Sequence, residues 1–237
     1  MKTRHLPETD LARIAPMQPA ARRRALENLT AGFAPFSYRP LRKRLLDVMN
    51  AQPPLVRALD LPWSTLKRLI AADCRSDGEL EANTDAGHLL YRFVREEGFE
   101  VVQEDFGLFP LGIGDYLSYW ANAVLVRGDE LILTCHDFRR GGGYTEAAKR
   151  FAFSVMHAQI RELRDDLRGA RLALLQFEQK PSSARTITVS YADEATLFTY
   201  DDIIRMAVET YATWREVLEE QAHAARRTGT HDDDWWG

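Results

Sequence analysis

The chain is 237 residues long and 45% hydrophobic, with 31 Lys/Arg against 35 Asp/Glu and only two cysteines. That length supports one substantial core, or one core with a small helical appendage. No window approaches the roughly eighteen uninterrupted apolar residues of a membrane span, the opening MKTRHLPETDLARIAPM lacks a signal peptide's apolar centre, and Cys74 and Cys135 are too few for a disulfide framework or a four-cysteine metal site, so a soluble protein of a reducing cytoplasm is expected.

The first fifty residues carry ten Lys/Arg against four Asp/Glu, a balance of +6. Prolines punctuate this part into short helices expected near 19–31, 40–51 and 62–73, which defines a basic helical N-terminal subdomain over 1–75. A longer helix is expected from about Asp77, with Leu80, His88, Leu89, Tyr91, Phe93 and Val94 on or near one face, closing at Gly98. From there the texture turns to β-branched and aromatic residues. FEVVQEDFGLFPL (99–111), YLSYWANAVLV (116–126) and ELILTCHDF (130–138) read as three successive strands, mostly antiparallel, with RGDE as a hairpin turn between the last two. A helix is expected from Tyr144 or Thr145 to about Arg168, then strands over 171–177 and 185–191, then an amphipathic helix over about 201–226. Residues 191–237 hold four Lys/Arg against eleven Asp/Glu, a balance of −7, and end in the patternless acidic tail 227–237. A basic arm can neutralise phosphates while an acidic end masks it; two solvated helix faces of opposite sign account for the same asymmetry.

The element order implies an α/β core over 76–226 with a mixed β-sheet of about 4–5 strands flanked by helices. The helix near 145–168 is long enough for a crossover between parallel neighbours. Asp137 then stands at one strand's carboxyl end and Glu178 at the other's, the edge of an open sheet where sites tend to form.

Leu131, Leu133, Cys135, Asp137 and Arg139 fall in one row of the third strand, apolar until its end and charged there. Such an acid can hold a divalent cation while the base steadies an anion developing at phosphorus. On the preceding strand Trp120, Asn122, Val124 and Val126 share a face. Gly141, Gly142 and Gly143 lead into a helix N-terminus beside Arg139 and Arg140, either a phosphate cradle or a flexible loop. Glu178 and Lys180 in QFEQK form a second acid and lysine pair, an alternative catalytic set or a solvated turn. His136 and His157 are expected to be half-buried, hydrogen-bonded histidines, and the terminal HDDDWWG to be a disordered end or a partner-recruiting tip.

The stretch from QEDFGLFPL to ANAVLVRGDELILTCHDFRR resembles the core of the PD-(D/E)xK, restriction-endonuclease-like nuclease superfamily, in particular its RecB-type branch, over about residues 76–180. The resemblance implies that His88 of AGHLLYRF takes the helical histidine's place, that Asn122 stands where a first acid belongs, that Asp137 is the second acid, and that Arg139 replaces the lysine. It implies a metal site of Asp137, His88 and Asn122 for Mg²⁺ or Mn²⁺, with Asp137, Arg139 and Asn122 as catalytic residues. Asparagine weakens the hold on a hard cation, and arginine binds phosphate well but transfers protons poorly. Two functions follow: a metal-dependent nuclease acting on DNA or RNA with impaired chemistry, or a catalytically inactive binding or assembly protein of the same fold with a nucleic-acid or protein partner. Self-association into a homodimer through the last helix's apolar face is a further expectation.

Overall fold

The structure, a computed structural model, describes residues 5–31, 37–53, 59–141, 143–179, 183–193 and 196–228. Five short helices come first: α1 (Glu8–Ile14), α2 (Pro19–Ala31), α3 (Arg39–Lys43), α4 (Leu45–Val48) and α5 (Trp63–Ala71). The helix expected over 40–51 is broken in two at Arg44, where the backbone leaves helical geometry. The long helix α6 (Asp77–Glu96) follows. Ser76 caps it by accepting from the Glu79 amide, and Glu79 reaches back to accept from the Arg75 amide at 2.7 Å, a reciprocal arrangement that meets donors no helical turn can satisfy. Its buried residues are Glu79, Ala82, Asn83, Ala86, Gly87, Leu90 and Val94, so of the face expected to hold Leu80, His88, Leu89, Tyr91, Phe93 and Val94 only Val94 is fully buried, and His88 is exposed.

The strands are β1 (Glu100–Gln103), β2 (Phe109–Pro110), β3 (Tyr116–Leu117), β4 (Trp120–Arg127), β5 (Glu130–Asp137), β6 (Arg171–Glu178) and β7 (Thr186–Tyr191). The two long strands expected over 99–111 and 116–126 each divide. Their inner parts, β2 and β3, pair only with each other in a small hairpin apart from the main sheet. The main sheet has the order β1-β4-β5-β6-β7, antiparallel throughout except for β5 and β6, the parallel neighbours that the crossover length implied. That crossover is α7 (Glu146–Met156), extended by a π-turn over His157–Arg161 and a 3₁₀ turn at Asp165–Leu167. Between β4 and β5, Gly128 takes φ 58° in a two-residue turn, a position open to glycine and strained for other residues.

Helices cover both faces of the sheet. On one, α1, α2, α7 and the final helix α8 (Tyr200–Thr228) enclose a core built on Leu11, Leu26, Leu133, Phe151, Met156, Ile203 and Trp214. On the other, Leu41, Met49, Leu66, Ile70 and Leu90 from α3 to α6 pack on Val101, Leu125, Ile132 and Phe177. The architecture is thus a mixed α/β fold with a five-stranded sheet between helical layers, and the N-terminal helices contribute to both layers.

The apolar face of α8 is consumed in the first core through Ile203, Met206, Ala207, Tyr211, Trp214 and Val217, which removes it as a surface for self-association. The charge asymmetry of the two ends is likewise met within the chain. Arg22 of α2 pairs with Glu209 at 2.9 Å, and Arg23 with Glu216 and Glu220, all on α8. The tail beyond Thr228 lies outside the described residues.

Candidate functional site

The parallel register sets Asp137 beside Gln176 at the carboxyl ends of β5 and β6. As the period-two pattern requires, Cys135 faces the core on one side of the sheet while Phe138 enters the core on the other. Asp137 is only 1% exposed. Both its oxygens are spent on Arg139: the guanidinium donates from Nε at 2.8 Å and from its terminal nitrogen at 3.0 Å, and the Arg139 backbone amide adds a third bond. Asp10 of α1 stands 3.8 Å from the same guanidinium, its carboxyl held above the usual range by burial, against the pull of Arg139. The acid and base expected to face a reaction centre therefore face each other.

The glycine run closes over this pair. A Cβ on Gly143 would lie 2.6 Å from Gln176 Nε2 and 3.8 Å from Asp137 Oδ2, so that glycine permits a close approach. Gly141 has open space around it, and Gly142 lies outside the described residues. The N-terminus of α7 is capped from within by Thr145, which accepts from the Ala148 amide. Arg140 turns away to brace α6 through Glu81 and Asp85 at 3.3 and 3.2 Å.

The remaining expected ligands are dispersed. His88 is exposed on α6 and stacks on Trp63 with ring centroids 4.9 Å apart. Asn122 sits in an irregularity of β4: the register passes from Trp120↔Cys135 to Val124↔Leu133, so two extra residues bulge out and Asn122 turns to solvent. Its carbonyl accepts from the Glu104 amide. The alternation survives the bulge, with Trp120, Val124 and Val126 packing in one core and Ala121, Ala123 and Leu125 in the other, but Asn122 itself is exposed. Among the described residues no group of three His, Cys, Asp or Glu side chains could hold a metal ion. Glu178 ends β6 opposite Thr186, and Lys180 lies outside the described residues.

The bulge has a second effect. Where β4 and β5 part, a pocket of about 260 Å³ opens between them and the N-terminal helices. Glu8 and Arg42 stand in its lining with Asn122, and Trp120, His136 and Tyr144 form part of the wall. Glu8 accepts from the Ser118 amide at 2.8 Å, and burial pushes its carboxyl up. His136 is buried rather than half-buried, stacks on Phe138 at 5.6 Å, and is pulled by desolvation down to about 3, so it is neutral at ordinary pH. Burial pushes the Cys135 thiol far up, which leaves it inert as a nucleophile. His157, the other singled-out histidine, lies 3.5 Å from Glu162. Behind the pocket Arg185, 9% exposed, donates to the carbonyls of Phe138, Phe177 and Ala82, tying α6 to the strand ends. Neither Arg42 nor Arg185 has a sequence signature, because their roles depend on loops that meet only in the fold.

A family model described as the sliding clamp-binding bacterial toxin SocB matches residues 9–224. The DNA replication inhibitor toxin SocB of Caulobacter vibrioides (strain NA1000 / CB15N) is 44% identical over 240 residues, covering 100% of this chain and 99% of its own length. No solved structure matches the chain. These findings overturn the resemblance to the PD-(D/E)xK superfamily, and with it the metal-dependent nuclease and the description of the chain as a nucleic-acid and metal binder. The short motif that suggested it, Asp-Phe-Arg at a strand end, is here an internal ion pair. Of the two functions weighed, binding to a protein partner is the one the findings favour.

Proposed function

The chain belongs to the SocB family, and from that premise we propose that it binds the sliding clamp and by doing so inhibits DNA replication. The observation that carries this reading is the 44% identity to the Caulobacter toxin over 100% of this chain and 99% of the relative. The electrostatics agree with a protein partner. Arg22, Arg23, Arg139 and Arg140 of the segments read as phosphate-binding are all paired with carboxylates of the chain itself. A clamp encircles chromosomal DNA, so the compartment is the bacterial cytoplasm. Among the described residues no helix is long and apolar enough to cross a membrane.

A protein contact needs exposed apolar surface at its centre. The described residues offer it chiefly at two places besides Leu163: Leu59, 86% exposed ahead of α5, and the β2–β3 hairpin, where Leu108, Ile113 and Tyr116 are 55%, 43% and 53% exposed. The experiment is biolayer interferometry of the purified chain on immobilised sliding clamp from the same organism, alongside Leu59→Glu and Ile113→Glu. Saturable binding is expected, weakened more than tenfold by one of the two substitutions, which locates the contact. No binding at micromolar chain concentration would sink the proposal. In cells, induced synthesis of the chain is expected to halt incorporation of labelled thymidine, and continued incorporation would count equally against it.

A further inference from the structure

The two edges of the main sheet are finished differently. At β1 the chain covers its own edge: the Gln52 amide donates to the Val101 carbonyl and the Gln103 amide to the Gln52 carbonyl, both at 2.8 Å. At β7 no described residue does so. The register with β6, and the bond from the Ala192 amide to the Leu172 carbonyl, put Thr186, Thr188 and Ser190 in the hydrogen-bonded pairs of that ladder. The amides and carbonyls of Ile187, Val189 and Tyr191 therefore point outward, and none of them meets a partner among the described residues. Such an edge is ordinarily blunted by a lysine, a proline, a bulge or a very short strand. TITVSY has six residues, no charge, no proline and an unbroken register, and its β-branched and aromatic residues suit a paired strand. Ile187 and Val189 pack against the core that includes Leu90 and Phe177, Tyr191 is 40% exposed beside them, and Thr186 and Thr188 are exposed on the other face.

We propose that two copies of the chain pair antiparallel along β7, about a two-fold axis at Val189, to make one continuous sheet. In that register Val189 faces Val189, and Ile187 of each copy faces Tyr191 of the other, so every outward amide and carbonyl of the strand finds a partner. The apolar row runs on across the axis, a β-branched residue opposite an aromatic one on either side of it. On the other face Thr188 of each copy meets Ser190 of the other, hydroxyl against hydroxyl. No like charges oppose one another within the strand. A slip of one residue would turn the apolar row to the wrong face, which fixes the register. A strand of another protein would have to match this alternation, whereas a second copy does so by symmetry. The contact leaves α8 in its core and uses none of the residues offered to the clamp.

The test is sedimentation equilibrium of the full chain at micromolar concentration, where a species of twice the monomer mass is expected. Thr188→Lys places like charges diagonally across the axis, and Val189→Pro removes an outward amide that an isolated edge does not use. Each is expected to weaken dimerisation at least tenfold, with circular dichroism and the urea midpoint checking the fold. Should Val189→Pro fail to fold, Thr188→Lys and a cross-link decide. The cross-link reads the register: oxidising a mixture of Thr188→Cys and Ser190→Cys, each carrying Cys74→Ser, is expected to give a disulfide-linked pair that neither variant gives alone. A monomer throughout overturns the proposal. So does a dimer that Thr188→Lys leaves intact, or equal cross-linking in the mixture and in the single variants.

Discussion

Holding the Asp137 carboxylate at 1% exposure is costly unless its charge is met, and Arg139 meets it with two parallel hydrogen bonds. Because the Arg139 side chain keeps 25% of its surface, the guanidinium is partly solvated and the pair lies at the mild end of buried ion pairs. Asp137→Asn, which keeps shape and removes charge, is expected to cost about 3 kcal/mol, read as a lower urea midpoint at unchanged slope. A loss within experimental error would show that the pair is idle. His136 provides a pH signature. Its folded value of about 3 lies below the ordinary 6.5, so between those values the unfolded chain binds the extra proton and stability falls as the solution is acidified. From pH 6.5 to 5 this one group takes away at most about 2 kcal/mol. His136→Phe is expected to flatten the dependence of the urea midpoint over that window. At this scale the sequence reveals types and strand parity: Asp137 and Cys135 do share a face. It does not reveal partners, because the choice of Arg139 over a metal ion is made by α1 and the glycine closure, elements distant in the chain.

Helix existence was legible from a proline at the start of α2 and α5, and from the serine cap and apolar stripe of α6. The short α1 escaped notice because its seven residues span barely two turns and its stability comes from packing on α7 and α8. Strand boundaries were less legible. The run 99–111 reads as one strand from its aromatic and β-branched residues, yet Asp105 and Gly107 let the chain leave the sheet, Asp105 accepting from the Gly107 amide, and the hairpin begins anew at Phe109. The contact between α2 and α8 makes a prediction of its own. Arg22 is 5% exposed and also donates to the carbonyls of Ala15 and Met17, whereas Arg23 lies on the outer side of the same helix pair. Arg22→Met is expected to destabilise by about 2 kcal/mol through the stranded carbonyls and Glu209, and Arg23→Met to leave the melting temperature unchanged, since exposed pairs contribute little. Equal effects would mean that the two arginines are equivalent.

For the whole molecule, the layered α/β plan and the single parallel pair could be read from element order and crossover length. The family could not, because a strand ending in Asp-x-Arg recurs in many sheets and a site is a property of residues rather than of a fold. One expectation separates the rejected partner from the proposed one. Fluorescence anisotropy of labelled single- and double-stranded oligonucleotides is expected to show no saturable binding at 50 mM salt, and 1 mM Mn²⁺ to leave the melting temperature where it is. A steep salt-dependent isotherm would mean that cations now paired within the chain exchange onto phosphate.

The pairing of α2 with α8 also bears on synthesis. Trp214 and Val217 complete a core one of whose walls, from α1 and α2, is made almost two hundred residues earlier. A ribosome must therefore release nearly the entire polypeptide before that layer can close, and an interrupted translation product is left open on one side of its sheet. The packed state would then arrive all at once, with the last helix, rather than growing with chain length.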